Sequence, residues 1–316
     1  MSFAIEVNDL RKSFNEIEVV KGIHLCVKKG ELLALLGPNG AGKTTTIEML
    51  TTLLKPDGGK ALVCGYDVVK NAKEVRKKIS LTGQFAALDE GLSGIQNLIL
   101  IARLYGFSFK EARSIAEERI QSFGLSDAKD RMVQSYSGGM RRRLDIAASL
   151  VAQPEILFLD EPTTGLDPQS RLGVWEVVRM LLKQGTTVLL TTQYLEEADQ
   201  LADRIAVIDK GTIIAEGTPN QLKASIGRKT LLIRLAEQTD QAAINRLLAD
   251  HHLTGFQDDD PFVYKIPVQE ANLASQVILT LVNNKVSIDY FSLSEPSLDE
   301  VFLALTASKL KKEVVQ

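Results

Sequence analysis

An α/β architecture followed by a small α+β domain is encoded in this 316-residue chain, and three observations carry that reading. The apolar run Leu32-Leu33-Ala34-Leu35-Leu36 leads into Gly37-Pro38-Asn39-Gly40-Ala41-Gly42-Lys43-Thr44-Thr45 and then into a helix-compatible stretch: strand, glycine-rich turn and helix, the parts of a phosphate cradle. Further along, apolar strands alternate with helices, as a largely parallel sheet requires. After Gly227 the order becomes β-α-β-β-α-β, the split βαβ arrangement of a ferredoxin-like domain.

The elements follow from local patterning. Strands are expected at Ala4 to Val7, Val19 to Val27 and Leu32 to Leu36, then a helix from about Lys43 to Leu54 that stops at Pro56-Asp57-Gly58-Gly59. From Ile95 to Ser149 the spacing of Leu98, Ile101, Ala102 and Tyr105, and of Ala112, Ile115, Ala116, Ile120 and Phe123, marks a helical insertion. Alternation returns with a strand at Ile156 to Leu159, a helix from Ser170 to Leu182, a strand at Thr186 to Leu190 and a helix starting near Leu195. The C-terminal part reads as strand Thr230 to Leu235, helix Gln241 to Ala249, strands near Leu253 to Phe256 and Phe262 to Ile266, helix Ala271 to Val282, strand Val286 to Phe291 and a last helix from Ser297 to Leu310.

Composition bounds the function. With 45% hydrophobic and 24% charged residues, the chain exceeds the ~250 to 300 residues at which single cores stop growing, so two or three folding units are expected. A net charge of -3 argues against holding nucleic acid by bulk electrostatics, and Arg141-Arg142-Arg143 reads as a solvated helix face. Cys26 and Cys64 form no CxxC and are expected to be reduced, half-buried thiols of a cytosolic protein. The N-terminus lacks a basic then apolar leader, and no apolar run approaches the ~20 residues of a membrane helix. Work at a membrane therefore calls for a partner. In the C-terminal part, His251-His252 and Asp258-Asp259-Asp260 carry no further ligands, so no metal site is expected there.

The chemistry lies in how several motifs combine. Gly37, Gly40 and Gly42 let backbone N–H groups turn inward; Lys43 supplies a cation for the β- and γ-phosphates, and Thr44 a hydroxyl for Mg²⁺. Glu155-Ile-Leu-Phe-Leu-Asp160-Glu161 is an apolar strand ending in two acids that can divide the work, Asp160 holding Mg²⁺ and Glu161 polarising the attacking water. Tyr136-Ser137-Gly138-Gly139-Met140 offers a second helix N-terminus to an anion. One γ-phosphate does not readily face two helix termini of one lobe, so the simplest geometry brings the second from another subunit. An ordinary N-cap with a glycine pair is the rival reading.

Taken in order, Gly37 to Thr45, Gln84, Ser137 to Met140, Asp160-Glu161 and Gly165-Leu166-Asp167 resemble the ATPase subunit of ABC transporters over roughly residues 3 to 225. The resemblance implies the ABC form of the P-loop NTPase fold: a mixed sheet core with an antiparallel β subdomain and a helical subdomain at about 86–150. Residues 1–227 would bind ATP and 228–316 form an accessory domain. It further implies that Phe14 stacks on adenine, that Gln84 touches Mg²⁺ or the attacking water and faces the membrane partner, and that Asp167 communicates between the two sites of a head-to-tail dimer. Ser137, Gly138 and Gly139 would close over ATP held by the other subunit. ATP and Mg²⁺ are the implied cofactors; a second copy and a separate transmembrane permease are the implied partners, with no nucleic acid, which places the chain on the inner face of the cell membrane.

Two positions depart from the family pattern. Met140 stands where a Gln is usual, which leaves the serine and glycine groups in place. Thr192-Gln193-Tyr194 stands where a switch histidine is usual; an amide donates to a phosphate but neither becomes a cation nor titrates near neutral pH. Gln193 is thus expected to sense phosphate without acid or base work, and hydrolysis to lean on Glu161. The segments Leu81 to Ala87, Tyr136 to Arg143, Thr192 to Tyr194 and Pro296 to Phe302 look like the daunorubicin-resistance type of ABC ATPase, which implies export of a drug-like or hydrophobic compound. The apolar face of Leu298, Val301, Phe302 and Leu305 is expected to pack on a neighbouring surface and the accessory domain to tune dimerisation or coupling. Two rivals remain open: a soluble ABC protein switching on a ribosomal or DNA partner, and a low-turnover regulatory subunit.

Overall fold

The computed structural model describes residues 3–83, 88–226, 229–237, 241–258, 260–268, 270–294 and 297–302, and the chain divides into two compact units, 1–219 and 220–316. The first unit runs β1 (Phe3–Phe14), β2 (Ile17–Lys28), β3 (Leu32–Leu36), α1 (Lys43–Leu50), β4 (Gly58–Val63), β5 (Tyr66–Asp67), α2 (Ala72–Arg76), β6 (Ile79–Thr82), α3 (Gly94–Leu104) and α4 (Phe109–Ser122). It continues through α5 (Gly138–Ser149), β7 (Ile156–Asp160), α6 (Pro168–Lys183), β8 (Thr187–Thr192), α7 (Leu195–Leu201), β9 (Arg204–Asp209) and β10 (Thr212–Gly217), and α8 (Pro219–Ile226) lies across the division.

Two sheets face one core. The antiparallel sheet has the order β2-β1-β4-β5 and the mixed sheet β10-β9-β3-β8-β7-β6, in which β10 alone runs antiparallel. The central strands β3, β7 and β8 are buried at every position, as expected where both faces of a parallel sheet are covered. Leu33 and Leu35 point into the core shared with Ile5, Leu25, Ile47 and Phe158. Side chains removed from water to this extent contribute ~1.5–3 kcal/mol each. Strand β1 outlasts its expected end at Val7 because Asp9 takes φ 51 and shifts the register against β2, which interrupts the alternation without ending the strand.

The helical insertion is set by caps. Ser93 with Gln96 and Ser108 with Glu111 each close a capping box, so α3 and α4 begin where a serine is followed three residues on by Gln or Glu. Their apolar stripes bury Leu98 and Ala102, and Ala112, Ala116 and Ile120.

The second unit contains β11 (Lys229–Leu235), α9 (Gln241–Leu248), β12 (Phe256–Gln257), β13 (Val263–Val268), α10 (Ala271–Asn283) and β14 (Ile288–Ser294). Their antiparallel sheet has the order β12-β13-β11-β14, which is the split βαβ topology expected from the element order. Leu231, Ile233, Tyr264, Ile266, Val277 and Leu281 form its core. Leu298 and Val301 are buried, whereas Leu305 lies outside the described residues. Among the described residues no cluster of metal-ligating side chains occurs, and no helix is long and apolar enough to cross a membrane.

Cys26 and Cys64 are free and half-buried. Burial, reinforced by the Glu155 carboxylate, pushes the Cys64 thiol up to about 11. A raised thiol pKa favours the unreactive neutral form, so iodoacetamide should label Cys64 slowly at pH 8 and faster only as pH climbs toward 11. Peptide mass mapping checks this, and rapid labelling at pH 8 would contradict it.

Candidate functional site

The cradle forms where β3 ends. Gly42, at φ 101, turns the chain into α1 in a left-handed conformation that side chains disfavour, and no side chain caps the helix, which leaves its first N–H groups facing the loop. Gly37, Ala41, Gly42 and Lys43 are buried, Pro38, Asn39 and Gly40 are exposed, and Thr44 and Thr45 are half-buried. The Lys43 ammonium, 4% exposed, donates to the carbonyls of Gly37 at 2.8 Å and Pro38 at 3.0 Å and pairs with Glu161 Oε1 at 3.1 Å.

At the end of β7 the two acids take different environments. Asp160 Oδ1 accepts from the Thr191 hydroxyl at 2.5 Å and from the Thr44 hydroxyl at 3.3 Å. The same Thr191 oxygen accepts from the Glu161 N–H at 3.1 Å, so one threonine of β8 fixes both acids. Glu161 stands at φ 47, a left-handed value unusual outside glycine, and its Oε2 accepts from the Thr164 hydroxyl at 3.2 Å. Thr164 and Thr191 are site residues that the sequence reading missed; the only signal was their position two or three residues from an acid or an amide. The structure thus brings Lys43, Thr44, Asp160 and Glu161 together.

Gln193 is half-buried just beyond β8 and lines a cleft of about 800 Å³ together with Asn39, Glu161, Arg142, Gly138 and Leu166. Ser137 is exposed and caps α5 by accepting from the Met140 N–H at 3.2 Å. Gly139 is buried, and a Cβ there would meet Ser170 Oγ at 2.5 Å, so close packing of α5 on α6 requires the glycine. Asp167 is exposed and caps α6, where hydrogen bonds from the Ser170 hydroxyl and N–H hold its carboxyl below the usual carboxylate range. Phe14, 43% exposed at the end of β1, has the Lys12 ammonium 5.5 Å from its ring centroid. Gln84 lies outside the described residues.

The arginine run corrects the expectation of a solvated face. Successive helical residues point about 100° apart, so three in a row cannot share one face. Arg142 turns inward: it is 8% exposed and donates to the carbonyls of Gly83 at 2.6 Å and Asp160 at 3.3 Å. Arg143 donates to Phe123 O, and Arg141 pairs with Glu90.

A glycine-rich cradle with a buried ammonium and two strand-end acids is an arrangement suited to the phosphates of a nucleotide. Comparison with known proteins agrees. Residues 20–164 match the ABC transporter family model, and residues 217–306 match that of the C-terminal domain of DrrA1-3-like ATP-binding proteins. The chain is 53% identical to the daunorubicin/doxorubicin resistance ATP-binding protein DrrA of Streptomyces peucetius, over 96% of this chain and 92% of that one. It is 50% identical to the daunorubicin resistance ATP-binding protein DrrA3 of Streptomyces coeruleorubidus, over 96% of each. The solved structure of cbiO1 from Clostridium perfringens, part of the ABC transporter complex cbiONQ, matches with a TM-score of 0.65 at 26% identity, over 72% of this chain and 92% of that one. The chain belongs to the ABC transporter family, as an ATP-hydrolysing subunit of the daunorubicin-resistance type.

Proposed function

We propose that this ATPase subunit powers export of a drug-like or hydrophobic compound through a separate permease, working as a head-to-tail pair of ATPase subunits. The names of its relatives support the cargo class, and their description as ATP-binding proteins supports a division of labour with a membrane chain. The ATP-binding domain is taken to end with α8, at about residue 227, and 228–316 to serve as the accessory domain that tunes dimerisation or coupling. The work takes place at the inner face of the membrane, where the permease holds the subunit.

The observation that carries the mechanism is the Lys43–Glu161 pair. Both side chains are at most 8% exposed, and separating such a pair without a substitute costs ~3–5 kcal/mol. A γ-phosphate entering the cradle supplies that substitute: it takes over Lys43, and Glu161 is released to polarise the attacking water. Nucleotide entry and arming of the base are thus one exchange. Thr164 then keeps the freed carboxylate oriented, and Gln193, across the cleft, donates its amide to the γ-phosphate.

The oxygens of Thr44 and Asp160, converging within 3.3 Å beside the cradle, suit a hard cation. Those two residues, with Gln84, would hold Mg²⁺, which supplies charge neutralisation of the β- and γ-phosphates. Phe14 offers its exposed face to adenine, and exposed Ser137 with Gly138 and Gly139 closes over ATP held by the partner copy, with Asp167 as the contact between the two sites.

The test is steady-state ATPase activity against protein concentration, beside size-exclusion chromatography in Mg·ATP. A composite site predicts activity that rises more than linearly with concentration and a nucleotide-held dimer. Activity strictly linear in concentration, with a monomer throughout, would remove the trans role of Ser137.

A further inference from the structure

Glu197 is a fully buried acid that the scheme above does not use. It sits on the first turn of α7, four residues after Gln193, and is 0% exposed. Its Oε1 accepts from the Thr163 hydroxyl at 2.9 Å and from the Trp175 indole N–H at 3.1 Å, while its buried Oε2 meets no donor among the described residues. Thr163 and Trp175 are themselves buried, at 0% and 3%. The acid and its two donors belong to three different segments. Glu197 lies on α7, which follows Gln193; Thr163 lies between Glu161 and Asp167; Trp175 lies on α6, the helix that Asp167 caps.

An apolar side chain of similar size would fill this space without the desolvation cost of an acid, which rises to several kcal/mol if the group is charged. Burial raises the Glu197 pKa, against the opposing pull of the Thr163 and Trp175 hydrogen bonds and the Arg171 charge. What the acid adds is directionality: two donors from separate segments are fixed to one oxygen.

We propose that Glu197 is a positioning residue that locks the turn bearing Gln193 to the loop from Glu161 to Asp167, so that phosphate contact at Gln193 is transmitted to Asp167. The proposal rests on the roles given above to Gln193 and Asp167. Trp175, the only tryptophan in the sequence, sits in the junction and reports on it directly.

The experiment measures ATP turnover and Trp175 emission, with and without Mg·ATP, in the full chain and in Glu197→Gln, Glu197→Ala and Thr163→Val. Glu197→Gln keeps an acceptor oxygen for both donors and should retain turnover and the emission response. Glu197→Ala should lower kcat at least ~10-fold, since misplacement of ~1 Å near the chemistry costs up to ~100-fold, and should abolish the Mg·ATP-dependent change in emission. KM for ATP should stay close to that of the parent, because the cradle is untouched. Thr163→Val removes one donor at nearly constant volume, should act in the same direction, and replaces the alanine variant if that one does not fold.

Parental kcat in Glu197→Ala would overturn the proposal, as would a Gln variant as impaired as the Ala variant, or emission blind to Mg·ATP in the parent. Gln193→Ala and Asp167→Ala serve as controls. If both leave turnover unchanged, the roles assigned to those residues fall and the proposal with them; if both impair turnover while Glu197→Ala does not, the proposal alone falls.

Discussion

Glu161→Gln should lower ATP turnover by ~100- to 10,000-fold, the range associated with a positioned general base, while nucleotide affinity equals or exceeds that of the parent. The substitution keeps the shape of the side chain and its contacts with Lys43 and Thr164, but an amide cannot take a proton from water. Because ATP binds and is not consumed, the variant should elute as a dimer in Mg·ATP. The exchange scheme adds a thermal signature. Without nucleotide, Lys43 faces a neutral amide in place of a carboxylate, so the melting temperature should fall; with nucleotide the phosphate supplies the missing charge, so the rise on adding Mg·ATP should exceed that of the parent. Turnover within tenfold of the parent would remove Glu161 as the base.

Much of this site was legible because its chemistry is written in short contiguous runs. A strand, a glycine turn and a Lys-Thr pair admit few other structures, and α1 begins at Lys43 as read. The acids at the end of an apolar strand were equally plain, since β7 is buried along its whole length up to Asp160. Less was visible where one residue type serves several ends. Thr164 and Thr191 look like the β-branched or turn residues found anywhere near a strand end, and only the folded chain shows their hydroxyls aimed at Glu161 and Asp160. Arg142 is hidden between two similar neighbours, and its inward turn follows from where α5 meets β6 and β7. Strand β6 has four residues, too few to show a period, and is recruited by pairing with β7. In the second unit the order of elements from β11 to β14 was legible, because each element is short, amphipathic and bounded by turn residues, and sheet order then follows from connection rules.

Lys43→Ala tests the same ion pair from the other side and should act on binding before chemistry. Charge-assisted hydrogen bonds contribute ~1.5–3 kcal/mol, so loss of the ammonium should weaken ATP affinity by about 10- to 150-fold and abolish measurable turnover. Arginine is not a substitute: the ammonium is held by two carbonyls of its own loop, at 2.8 and 3.0 Å, in a space shaped for a point donor and not a planar fork. Equilibrium binding with a fluorescent ATP analogue checks the first effect, and affinity equal to the parent would remove Lys43 from the phosphate site. The ion pair also makes the two substitutions interdependent. In Lys43→Ala the buried Glu161 carboxylate loses its counter-charge, and in Glu161→Gln the ammonium does; in the double variant neither charge is left stranded. The nucleotide-free loss of stability in the double variant should therefore be smaller than the sum of the two single losses, by a coupling of ~0.5–3 kcal/mol for residues in contact. Strict additivity in urea denaturation would mean that the pair does not hold the resting site together, and that Glu161 does not need phosphate entry to release it.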